Sequence, residues 1–234
     1  MTLNPDWQQA AVSLDTGLEI LEITATGAQQ QQLLHFLQLL QRWNRIGNLT
    51  AVTAPEQMVY RHLLDSISTL PWLSGQRVLD IGSGAGMPGI PLAIMASDTT
   101  FVLLDSQHKR TRFLAQVVAE LGLKNVGIVT ARVEKYQPDE KFDTLTARAF
   151  APLPRLLQCC ERLCAVQGRV MALKSRLYDN ELQQLPVGWQ LDTKIILAVP
   201  GLAAARHLLL LTHSLTDETV REQRTYCVKA DFRQ

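Results

Sequence analysis

Apolar positions divide the chain into a helical first part and a longer part in which short strands and helices alternate. In residues 1–70, apolar side chains recur every three or four positions, as in amphipathic helices. Gly47 and Asn48 are expected to end the main helix of this part, and Pro55 can begin another. We therefore predict a helical N-terminal extension over residues 1–70. The main helix has an apolar face formed by Leu33, Leu34, Phe36, Leu37, Leu40 and Trp43.

From Arg77 onward, short runs rich in β-branched and aliphatic residues alternate with helical runs. The predicted strands are 77–81, 100–105, 126–130, 143–149, 169–173, 192–199 and 207–212. The predicted helices are 88–97, 109–121, 153–165 and 179–185. This alternation predicts a mostly parallel sheet that is covered by helices on both faces. The last two strands are joined by V-P-G-L-A-A-A, which is too short for a crossover helix, so the last strand should be antiparallel.

These patterns predict three segments. Residues 71–213 form an α/β domain with a Rossmann-like, seven-stranded sheet, preceded by the helical extension. Residues 214–234 form a polar tail that we expect to be ordered only in part.

Composition is that of a globular protein. The chain has 234 residues, of which 47% are hydrophobic and 19% are charged. The formal net charge is +1, but it is unevenly spread: residues 1–70 carry a net charge of −3 and residues 71–213 a net charge of +4. The central segment is therefore mildly basic, which permits an anionic partner such as nucleic acid.

Neither a membrane span nor a signal peptide is expected. The sequence lacks a run of 18 apolar residues. The first residues carry Asp6, Asp15, Glu19 and Glu22 rather than a basic region. We therefore expect a cytoplasmic protein.

The cysteines do not have the spacing of a metal site. Cys159, Cys160 and Cys164 lie close together, and Cys227 lies alone near the end. Metal-binding cysteines usually come in paired CxxC motifs or with histidines. We expect small buried helix residues in a reducing compartment, and no metal.

A glycine-rich turn is the strongest candidate for a ligand site. Residues 78–91 read V-L-D-I-G-S-G-A-G-M-P-G-I-P, in which an apolar run ends at Asp80 and glycines follow at alternate positions. The pattern indicates strand, tight turn and helix. Gly82, Ser83 and Gly84 would let a ligand approach the backbone closely, because glycine has no Cβ and tolerates positive φ. The carboxylate of Asp80 favours a cationic ligand over a pyrophosphate.

The ends of the next strands supply further candidates, since ligands of open α/β sheets bind at the carboxyl ends of the strands. Asp105 can accept both hydroxyls of a ribose, although it could instead cap the following helix. Val133 and Glu134 could hold the face and edge of an adenine, but Glu134 could equally be a solvated acid. Arg148 ends the fourth strand, where it could line the site or pair with Asp80 or Glu134.

A nicotinamide-dependent oxidoreductase is an alternative at this point. Gly84, Gly86 and Gly89 match the dinucleotide pattern, and Asp105 lies where a ribose-binding acid should. Two features oppose it. Asp80 places negative charge beside the phosphate site, and Pro88 lacks the N–H that would help to bind a phosphate at the helix start.

Motifs over most of the chain, from about residue 30 to 212, resemble those of the RsmG (GidB) family of ribosomal RNA methyltransferases. The longest is D-I-G-S-G-A-G-M-P-G-I-P-L-A in the glycine turn. The others are N-L-T at 48–50, R-H-L-L-D-S at 61–66, L-L-D-S-x-x-K-R at 103–110, A-R-V-E at 131–134, A-R-A-F at 147–150, A-L-K at 172–174 and V-P-G-L…R-H-L near the end.

The resemblance implies a class I S-adenosylmethionine-dependent methyltransferase fold. It also implies transfer of a methyl group from S-adenosylmethionine to N7 of guanine 527 in bacterial 16S rRNA. Gly82, Met87, Val133, Glu134 and Arg148 fall on the family's cofactor-contact positions. The chain departs from the family at Ala131 and Ala147, where serine is frequent, and in its tail.

The fourth strand is followed by A-R-A-F-A-P rather than by the Asn/Asp-Pro-Pro-aromatic element of enzymes that methylate exocyclic amines. Guanine N7 carries a lone pair and no proton, so it can attack the methyl group without a general base. Catalysis would then consist mainly of positioning in a polar, dry site. We therefore name no catalytic base, although Arg148 could donate to guanine O6.

Contacts with RNA are expected from basic residues near the ligand edge. Lys174 and Arg176 follow the fifth strand and are the best candidates for phosphate contacts, and Lys109 and Arg110 begin a helix at the same edge. Two other functions remain open: a small-molecule methyltransferase on the same fold, and a non-enzymatic RNA-binding or partner-binding protein with a vestigial cofactor loop.

Overall fold

The computed structural model describes residues 5–175 and 179–214. Arg176, Cys227 and the predicted tail beyond residue 214 lie outside the described residues. Among the helices in the described part, none is long and apolar enough to cross a membrane.

One seven-stranded sheet forms the centre of the protein, in the order β3-β2-β1-β4-β5-β7-β6. Strands β1 to β5 pair in parallel, whereas β7 is antiparallel to both β5 and β6. The predicted architecture is therefore confirmed. The strands are β1 (Arg77–Ile81), β2 (Thr100–Asp105), β3 (Val126–Thr130), β4 (Phe142–Arg148), β5 (Cys164–Lys174), β6 (Trp189–Leu197) and β7 (Arg206–His213).

Helices cover both faces of the sheet. They are α5 (Gly89–Met95), α6 (His108–Leu121), α7 (Leu153–Cys160) and α8 (Asp179–Gln183). The helix predicted over 153–165 is wrong in its last turn, because β5 begins at Cys164. There Cys164 pairs with Phe142 of β4, and this pairing overrides the local helical pattern.

The N-terminal extension is helical, as predicted. It consists of α1 (Pro5–Ile20), α2 (Gly27–Gly47), α3 (Pro55–Met58), the π-helical segment Val59–Leu64 and α4 (Asp65–Ile67). A capping box between Thr26 and Gln29 starts α2. Asn48, with a left-handed φ of 46°, ends it as the sequence indicated.

The extension shares a hydrophobic core with the α5 and α6 face of the sheet. The ring of Phe113 in α6 lies against two aromatic rings of α2. Its centroid is 6.5 Å from that of Phe36 and 5.7 Å from that of Trp43. Gln29 and Gln32 of α2 donate to the carbonyl groups at the ends of α5 and α6. The π-helical segment lies beside the carboxyl end of β4, where Arg61 lines a cavity.

Candidate active site

The turn after β1 has the backbone that its glycines predict. Gly82, Gly84 and Gly86 have φ of 68°, 58° and 91°, values that other residues rarely adopt. Gly89 begins α5, and a Cβ there would lie 2.3 Å from a side-chain carbon of Leu103 and 2.7 Å from Asp80 Oδ2. Glycine at this position lets the helix pack directly on the strands.

Asp80 lies beneath this turn rather than on a cavity wall. Its side chain is buried, with 1% of the residue exposed, and its carboxylate accepts from the Gly89 N–H at 3.1 Å and from Thr146 Oγ1 at 3.1 Å. Burial raises the pKa of Asp80 to about 6, and the two hydrogen bonds oppose this rise. The first N–H of α5 is therefore occupied by a carboxylate.

A cavity of about 410 Å³, which we call the Gly82 cavity, opens at the ends of β1, β2 and β3. Four of the predicted cofactor residues line it: Gly82, Asp105, Val133 and Glu134. Ser83 and Met87 are buried behind the turn and are not part of its lining. Gly84 is connected to the cavity only through its N–H, which donates to Asp105.

Asp105 is the best-anchored polar side chain of the Gly82 cavity. It is 3% exposed. Oδ2 accepts from the Gly84 N–H at 3.0 Å and from Arg110 Nη1 at 3.2 Å, and Oδ1 accepts from the Gln107 N–H at 2.9 Å. The carboxylate thus holds the N–H of Gln107, the N-cap residue of α6, and its ribose role stays a prediction. Oδ1 keeps a lone pair for a further donor.

The opposite side of the Gly82 cavity is formed by the turn after β3. Val133 is buried, and its carbonyl group accepts from the guanidinium of Arg162. Glu134 is half exposed and lies 3.6 Å from Arg155. An apolar side chain and an acid therefore face the cavity together.

A second cavity, of about 520 Å³, lies at the carboxyl ends of β4 and β5 and at the start of β7. We call it the Arg148 cavity. Residues Ala149 to Pro152 line both cavities, so the two adjoin at the end of β4. The charged residues of the Arg148 cavity are Arg61, Asp65, Arg148, Lys174, Glu181 and Arg206. Cations outnumber carboxylates among them, so the cavity favours an anionic or oxygen-rich ligand.

Arg148 lines this cavity and pairs with a residue of the N-terminal extension, rather than with Asp80 or Glu134, the alternative partners considered from the sequence. Its Nη1 donates to Asp65 Oδ2 at 2.8 Å and to the carbonyl oxygen of Arg61 at 3.1 Å. The other carboxylate oxygen of Asp65 accepts from Arg206 Nε at 3.0 Å. One buried carboxylate therefore bridges two guanidinium groups.

Of the residues predicted to contact RNA, Lys174 lies in the wall of the Arg148 cavity. Its Nζ donates to Glu181 Oε1 and to the carbonyl oxygen of Ala151, both at 3.1 Å. Arg110 lines the Gly82 cavity through its bond to Asp105, whereas Lys109 is exposed on α6. The described residues contain no group of three or more His, Cys, Asp or Glu placed to hold a metal ion.

Asp65 and Arg206 were not singled out from the sequence. The signal for Asp65 was a carboxylate within the apolar string L-L-D-S, because a charged residue in a buried helix needs a partner. His62, one turn earlier, is also buried, and its Nε2 lies 2.9 Å from Thr50 Oγ1. Burial, and secondarily the charge of Arg148, lowers the pKa of His62 to about 4.

Comparison with known structures supports the fold. The chain is similar to a SAM-dependent methyltransferase from Aquifex aeolicus, with a TM-score of 0.52 and 18% identity over 66% of this chain and 92% of that one. It is also similar to the ribosomal protein L11 methylase from Lactobacillus delbrueckii, with a TM-score of 0.51 and 16% identity over 64% and 77% of the two chains.

Sequence comparison is more specific. The chain is 49% identical over 199 residues to the ribosomal RNA small subunit methyltransferase G of Shewanella loihica, which covers 85% of this chain and 96% of that protein. The protein of the same name from Marinobacter nauticus is 45% identical over 210 residues, or 90% and 97% of the two chains. A family model described as rRNA small subunit methyltransferase G matches residues 29–209. The chain belongs to this family, GidB.

Proposed function

We propose that this protein transfers a methyl group from S-adenosylmethionine to N7 of guanine 527 in the 16S rRNA of the small ribosomal subunit, in the cytoplasm. The observation that carries the proposal is the pair of cavities that adjoin at Ala149–Pro152. One has the features of an adenosine site, and the other is cationic. A methyl group that passes between two ligands requires such neighbouring sites.

The Gly82 cavity fits the methyl donor. Asp105 would accept a ribose hydroxyl through the free lone pair of Oδ1, while Val133 and Glu134 would hold the face and edge of the adenine. Gly82 brings its backbone to the wall without a side chain, and a Cβ there would lie 2.5 Å from the Phe150 ring. When bound, S-adenosylmethionine supplies an electrophilic methyl group on a positively charged sulfur.

A dinucleotide fits the same place less well. Pyrophosphates bind at helix starts through free N–H groups. Here Pro88 has no N–H, and the N–H of Gly89 already donates to Asp80. The environment of α5 therefore supports the sulfonium donor rather than a nicotinamide cofactor.

The Arg148 cavity suits a guanine nucleotide. Its two carboxylates are both engaged, Asp65 by Arg148 and Arg206, and Glu181 by Lys174. Each carboxylate is thus paired with a cation, and attack by guanine N7 needs no base. A guanidinium group that donates to guanine O6 would fix the orientation of the guanine ring, and with it the direction of the N7 lone pair. It would also stabilise the charge that develops on the ring during transfer. Arg148 is the residue proposed for this role, and Lys174 is the one proposed to contact a phosphate of the RNA.

The proposal is tested on small ribosomal subunits isolated from cells that lack this protein. With purified protein and S-adenosylmethionine, mass spectrometry of 16S rRNA should show one added methyl group, at N7 of guanine 527. Methylation of another nucleotide, or transfer to small molecules but not to the subunit, would contradict it. A parallel calorimetric titration should detect S-adenosylhomocysteine at micromolar concentration and no binding of NADH.

A further inference from the structure

We propose that Asp65 is a positioning residue of the guanine site: its carboxylate holds Arg148 and Arg206 side by side as one receptor for the oxygen atoms of the target nucleotide. This inference rests on the proposed function, which it extends to the N-terminal extension.

The π-helical segment and the residue that follows it, Asp65, each place one acceptor beside Arg148. At its end, the N–H of Asp65 donates to the carbonyl group of Tyr60, five residues back. In an α-helix the same N–H would donate to the carbonyl group of Arg61. That carbonyl oxygen instead accepts from Arg148 Nη1 at 3.1 Å, beside the Asp65 oxygen at 2.8 Å. π-Helical turns often occur at functional sites.

The bridge also leaves donors free to bind a ligand. Arg148 uses Nη1 toward the protein, and Arg206 uses Nε and, at 3.5 Å, Nη1. Within the described part of the chain, the Nη2 groups of both arginines have no hydrogen-bond partner. Both side chains line the Arg148 cavity and are about one quarter exposed. The free edges of the two forks are therefore available to oxygen acceptors such as guanine O6 and phosphate.

A carboxylate is needed to hold this arrangement. Two guanidinium groups at hydrogen-bond distance from one side chain repel each other, and the repulsion is strong where water is excluded. Asp65 is only 5% exposed, and it neutralises part of this charge while each of its oxygens fixes one arginine. An asparagine has the same size, but it has one oxygen acceptor and a donor, so it can hold only one of the two guanidinium groups.

The test compares Asp65→Asn with the wild-type protein in two assays. In methyl transfer to unmodified small subunits, kcat/KM should fall about 100-fold, as expected when reacting groups are misplaced. The dissociation constant of S-adenosylhomocysteine should change less than about twofold, because Asp65 does not line the Gly82 cavity. In the second assay, guanosine 5′-monophosphate titrated against the protein saturated with S-adenosylhomocysteine should bind at least about tenfold more weakly.

Glu140→Gln is the matched control. Glu140 also pairs with an arginine, Arg77 Nη1 at 2.8 Å, but it is exposed and lies at the other end of the sheet. The Glu140→Gln variant should give the wild-type result in both assays.

The Arg206→Ala background distinguishes a positioning role of Asp65 from a role in stability. If Asp65 acts through the arginines, Asp65→Asn should cost at most about tenfold more in this background, so the two changes are not additive.

Equal binding of guanosine 5′-monophosphate by wild type and Asp65→Asn would overturn the inference, as would a lack of binding by the wild type. So would fully additive effects, or a parallel loss of S-adenosylhomocysteine binding, since these indicate a general structural role. The titration does not depend on turnover. A wild-type protein that fails to methylate the subunit therefore contradicts the proposed function, and not the Asp65 bridge.

Discussion

The two adjoining cavities are built in different ways. The Gly82 cavity is made by short strings that each follow a strand, so neighbouring residues in the sequence supply neighbouring parts of its wall. The Arg148 cavity is assembled from charged residues of six elements: the π-helical segment, α4, β4, β5, α8 and β7. Asp65 is 83 residues from Arg148 and 141 residues from Arg206.

This difference separates local chemistry from long-range assembly. Backbone geometry and one anchored carboxylate dominate the Gly82 cavity, in which Asp105 ties the glycine turn to the start of α6. Paired charges dominate the Arg148 cavity. Changes in the first cavity should therefore act on the cofactor, and changes in the second should act on the nucleotide.

The largest expected effect on the Gly82 cavity comes from Asp105→Ala. Loss of a buried acceptor for a ribose hydroxyl should weaken binding of S-adenosylhomocysteine about 100-fold and abolish methyl transfer, while association with the small subunit persists. Calorimetry and co-sedimentation measure the two. Asp98→Ala, an exposed acid before β2, is the control. Affinity within threefold of wild type would contradict the assignment of Asp105.

The stability of the protein should depend on pH with opposite sign at two buried groups, one under the glycine turn and one in the π-helical segment. The pKa of Asp80, under the glycine turn, is raised to about 6, so its contribution to stability is present at low pH and is lost as the pH rises from about 4 to 6. The pKa of His62, in the π-helical segment, is lowered to about 4, so its contribution is present above pH 6.5 and is lost as the pH falls toward 4. The two effects oppose each other in the same pH window.

Replacing each group should remove its contribution to the pH dependence of the unfolding free energy. From pH 4 to pH 6.5, the unfolding free energy of Asp80→Asn should rise by about 2 kcal/mol more than that of wild type. Over the same range, that of His62→Gln should rise by about 2 kcal/mol less. Urea denaturation at the two pH values measures both. Parallel shifts of the same sign would show that the two buried groups do not titrate as described.

A smaller effect is expected from two glycines with the same backbone handedness. Gly82 and Gly122 have φ of 68° and 64°, so alanine should cost each about 1 kcal/mol of stability. Only at Gly82 would the new Cβ also meet Phe150, at 2.5 Å; at Gly122 it meets nothing within 4 Å. Gly82→Ala should therefore bind S-adenosylhomocysteine about tenfold more weakly than Gly122→Ala does. Equal cofactor affinity in both variants would contradict this.

The smallest effect is expected at Glu134, since it is half exposed and its contacts are screened by water. Glu134→Gln should weaken S-adenosylhomocysteine about fivefold or less. Glu161→Gln, at nearly the same exposure but outside both cavities, should have no effect. A loss of 100-fold at Glu134 would instead make it a principal anchor of the adenine.

Most of the fold could be predicted from hydrophobic periodicity. The first three strands were predicted at their observed bounds, because each is a short run rich in β-branched and aliphatic residues between turn signals. The prediction failed at Cys164, where pairing with β4 decided between helix and strand. Such a choice depends on a partner elsewhere in the chain.

The candidate site divides in the same way. Gly82, Asp105, Val133 and Glu134 were found because they follow strands whose ends must meet at one edge of the sheet. The partner of Arg148 was missed, since it comes from the N-terminal extension. Asp80 was placed near the ligand, but it lies under the turn, where it accepts the first N–H of α5.

The sequence by itself determined the positions of the glycines, the strand ends and the net surplus of cations, because backbone preference and apolar periodicity are local properties. Only the tertiary structure decided which charges meet. The carboxylate of Asp65, which directly follows the π-helical segment, reaches Arg148 and Arg206 after the extension packs on α5 and α6 and β7 pairs with β5. Ion pairs depend on distances of a few ångströms in space, and separation along the chain does not set those distances.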